Sequence, residues 1–297
     1  MVEQLPQDVI ARLRALDPAI TPELAQSSWA LLTPFHEKLG YTAPRIVRDL
    51  TYGEHERHRL DVHTADAPSG GSTSGHGAPV FLFVHGGGFV RGDKHQPGTP
   101  AYDLVGAWAV RHGWVGVNMT YRYAPEVKWP AGAQDVAAAV GWIRENIAAY
   151  GGDPDRIVVA GNSAGATHVA DFVAGHGGDL AGVVGAALIS GIYTARPAVP
   201  GAAPHPYYGV PDPVQASLPC LVESHVPLLF TVAERDPDRF HAAVAEAVAA
   251  WAVRHGTVPD LVWVDGHNHM SAVGSLGVDE AALGVPLARF VERHTTS

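Results

Sequence analysis

Gly161-Asn162-Ser163-Ala164-Gly165 sets one hydroxyl between glycines placed two residues before it and two after it. A serine held on a sharp strand-to-helix turn needs that spacing, because larger side chains would collide where the backbone doubles back. The turn lifts the hydroxyl off the sheet edge, and the N-terminus of the helix behind it favours developing negative charge. The flanks suit such a turn: Ile157 to Ala160 read as a strand, and a helical pattern opens near Ala164. A bare G-x-S-x-G arises easily by chance in a chain with 33 glycines, so it is the flanks that mark Ser163 as a nucleophile.

A second glycine motif, His85-Gly86-Gly87-Gly88-Phe89, follows the apolar run Val80 to Val84. Consecutive glycines leave backbone N–H groups unobstructed, so they can point at a reacting carbonyl oxygen. The competing readings are a flexible turn and half of a phosphate cradle. The cradle lacks the Lys-Ser/Thr of a P-loop, and no G-x-G-x-x-G spacing is present. Two further groups complete the inventory. Glu234, Asp236 and Asp238 are carboxylates just past the strand-like Leu228 to Val232, and His267 and His269 follow the last strand-like run. Asp238 also fits a solvated helix N-terminus. His267 and His269 have the His-x-His spacing of a metal pair, but the sequence offers no third ligand, and no metal is expected. His55 and His58 lack zincin spacing and are expected at the surface.

The elements that must position these groups alternate regularly. Helical stretches span about 102–112, 131–150 and 164–174, and each leads into or out of a strand: 114–119, 156–160 and 183–190. Val226 to Val232, Arg239 to His255, Leu261 to Val264 and Glu280 to His294 continue the series as strand, helix, strand and helix. Alternation of this kind predicts a parallel sheet with helices on both faces. Upstream, Val9, Leu13 and Leu16 recur at helical spacing, Thr21-Pro22-Glu23 reads as a fresh helix start, and the second helix runs to about Leu32. Ile46 to Tyr52 and His58 to His63 read as strands, and Asp66 to Pro79 as a Ser/Gly/Pro-rich loop. Gly191 to His225 breaks the rhythm with seven prolines, which suits a pocket wall or lid.

Composition narrows the setting. The chain has 297 residues, 46% of them apolar, and no apolar run long enough to span a bilayer. Twenty Lys+Arg against thirty Asp+Glu give a formal charge of −10, which disfavours nucleic acid as a partner. Cys220 is the single cysteine, so an intrachain disulfide and a cysteine-based zinc site are excluded. The opening residues show no secretory-signal pattern, and a cytoplasmic location is expected.

In order along the chain, His85–Phe89 with Arg91-Gly92-Asp93-Lys94, then Tyr121-Arg122-Tyr123-Ala124-Pro125-Glu126, then Gly152-Asp153-Pro154-Asp155-Arg156 lead into the serine turn. In these motifs the chain resembles the hormone-sensitive-lipase-like carboxylesterases of the α/β-hydrolase superfamily, shading into the feruloyl-esterase-like and kynurenine-formamidase-like branches. The resemblance runs from about Asp49 to the C-terminus. It implies a triad of Ser163, Asp236 and His269, with His267 the alternative histidine. It also implies an oxyanion hole from the N–H groups of Gly87, Gly88 and Ala164, the last of which follows from the turn itself. Asn162 stands where the lipase-like group usually has Asp, which moves the likeness toward the other two branches.

The expected fold is therefore α/β: a single α/β-hydrolase domain over 1–297, with about eight mostly parallel strands. A small cap is expected from residues 1–45 and 191–225. The expected activity is cofactor-free cleavage of small to medium, including aromatic, carboxylic esters through an acyl-enzyme. The rivals are an aryl-formamidase using the same residues and a non-catalytic binding protein on a hydrolase scaffold. Trp29, Phe89, Tyr193, Tyr207, Tyr208 and His267 are the candidate pocket residues, each equally consistent with ordinary packing. The partner is a small-molecule ester, not a membrane, and the oligomeric state is left open, a homodimer among the options.

Overall fold

Val80-Phe81-Leu82-Phe83-Val84 has no polar residue, which suits a strand covered on both faces. In the structure, a computed structural model that describes residues 4–66, 77–193, 206–208 and 218–296, this run is the centre of β3. Its side chains alternate between two cores. Val80, Leu82 and Val84 join one apolar cluster, and Phe81 and Phe83 join another on the opposite face.

The strands are β1 (Arg45–Thr51), β2 (Arg59–Thr64), β3 (Ala78–Val84), β4 (Val115–Met119), β5 (Gly152–Asn162), β6 (Val183–Ile189), β7 (Leu228–Arg235) and β8 (Asp260–Asn268). They form one sheet in the order β1-β2-β4-β3-β5-β6-β7-β8. β2 pairs antiparallel with both β1 and β4; every pairing from β4 through β8 is parallel. The helices are α1 (Gln7–Arg14), α2 (Pro22–Leu39), α3 (Asp103–Arg111), α4 (Ala131–Asn146), α5 (Ala164–Asp171), α6 (Leu218–Leu221), α7 (Asp238–His255), α8 (Ser271–Gly274) and α9 (Val285–Thr295).

Helices cover both faces because each presents one apolar stripe. Val136, Val140 and Ile143 of α4, Val169 of α5 and Val244 of α7 enter the core of one face. Leu104 and Trp108 of α3 and Leu287, Phe290 and Val291 of α9 fill the other. Each such large side chain stabilises the fold by roughly 1.5–3 kcal/mol through burial. Because β3, β5, β6, β7 and β8 run parallel, their carboxyl ends all lie at one edge. His85, Ser163, Ser190, Asp236 and His269 each follow directly on one of those ends.

Several sequence expectations change. The second helix runs on through Pro34 to Leu39, because Leu32 and His36 are buried and His36 Nε2–H donates to Gly274 O at 2.8 Å. β5 begins at Gly152, earlier than expected, by pairing with β3 from Ala78. The last helix is preceded by a separate wide turn at Glu280–Gly284. His58 is not a surface residue: it stacks on Tyr52 at 4.8 Å and lies 3.1 Å from the buried Asp135 carboxylate. Its neighbour His55 does meet solvent, 3.1 Å from the exposed Glu126. The proline-rich insertion lies largely outside the described residues, as does most of the 66–79 loop.

Burial also holds four imidazoles neutral. It pushes His36, His63 and His85 down to about 4 and His168 to about 3. In the unfolded chain each titrates near 6.5, so below that pH the unfolded state binds protons that the native state refuses. Their contribution is complete above about pH 6.5 and is lost as the pH falls toward about 4, by up to roughly 1.4 kcal/mol per pH unit for each group. Calorimetry should show the melting temperature dropping through that window. His36→Gln, which keeps a donor toward Gly274 O, should flatten the slope; an unchanged slope would contradict the assignment.

Candidate active site

Ser163 has φ 56° and ψ −119°, a conformation that L-residues rarely adopt and that must be held from outside. The restraint comes from close packing on both sides. A Cβ on Gly161 would lie 2.4 Å from Gly165 C, and one on Gly165 would lie 2.1 Å from Val84 O. Both glycines are therefore required, and the second brings α5 directly onto the end of β3. Ser163 N–H donates to Ile189 O at 2.8 Å, and Ser163 O accepts from Thr167 N at 3.1 Å to open α5.

The same contact docks the glycine loop beside the serine. A Cβ on Gly86 would sit 3.3 Å from Ser163 Cβ and 3.1 Å from Asn162 Oδ1. Gly87 (φ 140°), Gly88 (φ 60°), Phe89 (φ 70°) and Gly92 (φ 113°) then curl the chain back. Gly87 O accepts from Val90 N and Arg91 N, so the loop is closed on itself. His85 braces it: Nδ1–H donates to Gly86 O at 2.6 Å, and Tyr121 stacks on the ring at 4.5 Å while its hydroxyl donates to His85 O. A buried, neutral His85 is thus a strut of this loop.

Asp236 and His269 meet across the ends of β7 and β8. His269 Nδ1–H donates to Asp236 Oδ1 at 2.6 Å, and Phe240 packs on the imidazole with ring centroids 4.4 Å apart. Asp236 is buried and accepts two more hydrogen bonds at Oδ2, from Ser190 Oγ at 2.6 Å and Ala233 N at 2.7 Å. The other carboxylates are engaged elsewhere. Glu234 binds Arg14 and Gly266 N, and Asp238 is exposed at the start of α7. His267 faces away from Asp236: its ring lies 3.1 Å from Ser271 Oγ and 3.3 Å from Asp279 Oδ2, fully buried.

Sequence reading missed Ser190 and Asn268. Ser190 is buried with φ 50° and bonds the carboxylate that faces the imidazole. Its one sequence signal is its place: a small polar residue ending a buried strand, as Ser163 does. Asn268 Oδ1 accepts from Met270 N and Ser271 N and so shapes the turn that carries His269.

Three of the aromatic candidates come together. Phe89 stacks on Tyr207 at 4.5 Å with planes 3° apart, and Tyr208 meets Phe89 edge-on at 5.6 Å. The Tyr207 hydroxyl accepts from Gly132 N at 3.0 Å and lies 3.3 Å from His168 Nδ1. Tyr193 and Trp29 lie elsewhere. Tyr193 is a core residue against Phe230, and Trp29 packs on Tyr102 beside Gly274. Apolar packing claimed both rings, which sequence could not tell from pocket walls.

One cluster has metal-ligand types, the buried Asp61, His63 and Asp103. Its charge is already met, since Arg48 lies 2.7 Å from each carboxylate and Lys94 lies 3.2 Å from Asp61.

Comparison with known proteins agrees with this fold. Two solved structures superpose on nearly the whole chain. An esterase from Pyrobaculum calidifontis does so with TM-score 0.68 at 21% identity, covering 99% of this chain and 100% of that one. A bacterial heroin esterase has TM-score 0.67 at 21% identity, covering 99% of each. The eight-stranded sheet with helices on both faces is the α/β-hydrolase fold. Residues 68–184, which hold both glycine motifs, match the BD-FAE family model. Among curated proteins, esterase LipQ of Mycobacterium tuberculosis is 43% identical over 139 residues, 46% of this chain and 30% of its own length. Carboxylesterase NlhH of the same species is 48% identical over 89 residues, 29% of this chain and 26% of its own. The matched stretch thus spans less than a third of the length of these relatives. No helix among the described residues is long and apolar enough to cross a membrane.

Ser190 gives a direct check on the carboxylate. A hydrogen bond to a charged group is worth about 1.5–3 kcal/mol, so losing it should loosen the acid that orients the imidazole. Ser190→Ala should keep the fold by circular dichroism while lowering turnover of a short p-nitrophenyl ester by about tenfold. Full turnover would show that Asp236 is held without it.

Proposed function

We propose that this chain is a serine carboxylic ester hydrolase acting on small to medium esters. The observation that carries the reading is the 2.6 Å Asp236–His269 hydrogen bond at the sheet edge where the strained Ser163 turn and the glycine loop also lie. The curated relatives are named esterases and carboxylesterases, which supports the same chemistry.

In this mechanism Ser163 Oγ attacks the acyl carbonyl carbon, and His269 Nε2 takes the hydroxyl proton. Asp236, bonded to Nδ1–H, keeps the tautomer that leaves Nε2 free to accept and stabilises the imidazolium once it forms. The N–H groups of Gly87, Gly88 and Ala164 hold the oxyanion, and each such donor contributes on the order of 3 kcal/mol in the transition state. The tetrahedral intermediate collapses by breaking the ester C–O bond, and the imidazolium returns its proton to the departing alkoxide. Water activated by the same imidazole then attacks the acyl-enzyme and releases the acid. No step calls on a cofactor.

Substrate size follows from the walls. Phe89 directly follows Gly88, stacks on the buried Tyr207 and meets Tyr208 edge-on, which supports an aromatic wall beside the glycine loop. We assign this wall to a compact or aromatic acyl or alcohol group. In this reading the chain is one hydrolase domain whose cap includes α1 and α2; most of the 191–225 segment expected to join them lies outside the described residues. A cytoplasmic location and a small-molecule ester as the partner complete the proposal.

Ser163→Ala should abolish hydrolysis of short p-nitrophenyl esters without loss of fold. His269→Ala should lose far more turnover than His267→Ala, and the reverse order would move the base to His267. Ranking kcat/KM across acyl esters, aryl esters and an aryl formamide decides the substrate class. A formamide that outranks every ester would replace esterase with formamidase chemistry.

A further inference from the structure

β7 and β8 fall out of register just before they deliver the carboxylate and the imidazole. Ala233 pairs with Val264, but the next paired residues are Arg235 and Asn268, so Asp265, Gly266 and His267 all lie opposite Glu234. The ladder is interrupted over this bulge and resumes only at Arg235 and Asn268, one residue before the acid and the imidazole. A side-chain bridge crosses the gap. Glu234 Oε2 accepts Gly266 N–H at 2.7 Å, across the irregular stretch.

The N-terminal segment closes this bridge from outside. Arg14, the last residue of α1, puts Nε 2.9 Å from both oxygens of Glu234, and its Nη2 lies 2.7 Å from Oε2 and 3.0 Å from Asp265 Oδ2. One turn earlier in the same helix, Ile10 packs on the bulge, where a Cβ on Gly266 would lie 2.6 Å from Ile10 Cγ2. Glu234 is two residues before Asp236, and Asp265 is four before His269. One guanidinium thus grips the two loops that carry the acid and the base.

We propose that Arg14 is a positioning residue: with Glu234 it clamps the β7 and β8 loops so that the Asp236 carboxylate stays in register with the His269 imidazole. The proposal rests on the reading of Asp236 and His269 as acid and base. It also gives α1 a second role beside that of cap wall. The side chains of Arg14 and Glu234 are 41% and 25% exposed, so the pair adds little to global stability. Geometry is more sensitive, since a displacement near 1 Å at reacting groups costs up to about a hundredfold in rate. A clamp should therefore be seen in turnover before it is seen in melting.

The test uses the full chain and a short p-nitrophenyl ester. Arg14→Ala should lower kcat by roughly tenfold to a hundredfold with KM nearly unchanged, while the melting temperature moves little. Arg14→Lys, a single point charge, should restore only part of that loss. Glu234→Gln, which keeps an acceptor for Gly266 N–H, should retain more activity than Glu234→Ala. Adding Arg14→Ala to Glu234→Ala should cost little more, because the two act as one unit. A second readout needs no substrate: the downfield proton resonance of His269 Nδ1–H, identified by its loss in His269→Ala, should broaden or exchange faster in Arg14→Ala. If kcat and that resonance both stay at wild-type values, the clamp is refuted. A wild-type chain that hydrolyses no ester but loses the resonance in Arg14→Ala would overturn the esterase reading and leave the clamp standing.

Discussion

Asp236 is a carboxylate taken almost wholly out of water, and such a group is costly unless its lone pairs are met. Three donors meet them: Ser190 Oγ from the end of β6, Ala233 N from β7, and His269 Nδ1 from the end of β8. Satisfying one buried oxygen pair thus draws three neighbouring strand ends to a common point. That demand fixes where the imidazole sits and which of its nitrogens is turned outward. The last loop contains two histidines, and only His269 faces this carboxylate. His267 spends both ring nitrogens on Ser271 and Asp279.

The nucleophile side is held by steric exclusion instead of charge. Gly165 touches the carbonyls of Val84 and His85, and Gly86 touches Ser163, so the serine turn and the glycine loop are fixed by one close approach. The positive φ of Ser163 costs free energy that this packing offsets. The two halves of the site therefore have different sensitivities. Added methyl groups damage the β3–β5 side, whereas lost hydrogen bonds damage the β6–β8 side.

The flanking polar networks follow the same physics. Arg48 and Lys94 neutralise Asp61 and Asp103 beneath the antiparallel edge, and Arg122 with His58 surrounds Asp135 near the start of α4. Each of these three acids has a cation or an imidazole within reach, so what looks like a ligand cluster in one place is an ion-pair network. The family-model match covers the stretch that holds the glycine loop and the serine turn. The N-terminal helices that tie down the later loops lie outside that stretch.

The alternation of apolar strands with amphipathic helices was legible because periodicity is local: Val80 to Val84 suits a two-sided strand, wherever its neighbours lie. The serine turn was legible for the same reason, since glycines at fixed offsets state a steric requirement within five residues. Choosing among Glu234, Asp236 and Asp238, or between His267 and His269, needed contacts between segments more than thirty residues apart. The residues could nominate these groups and the family resemblance favour one pairing, but neither supplies the contacts, because pairing is set by strand register and by which buried charge needs which donor. Ser190 was invisible for that reason, and so was Arg14, whose partners lie more than two hundred residues away. Local sterics are written in the chain; the satisfaction of buried charge is decided only when the sheet has closed.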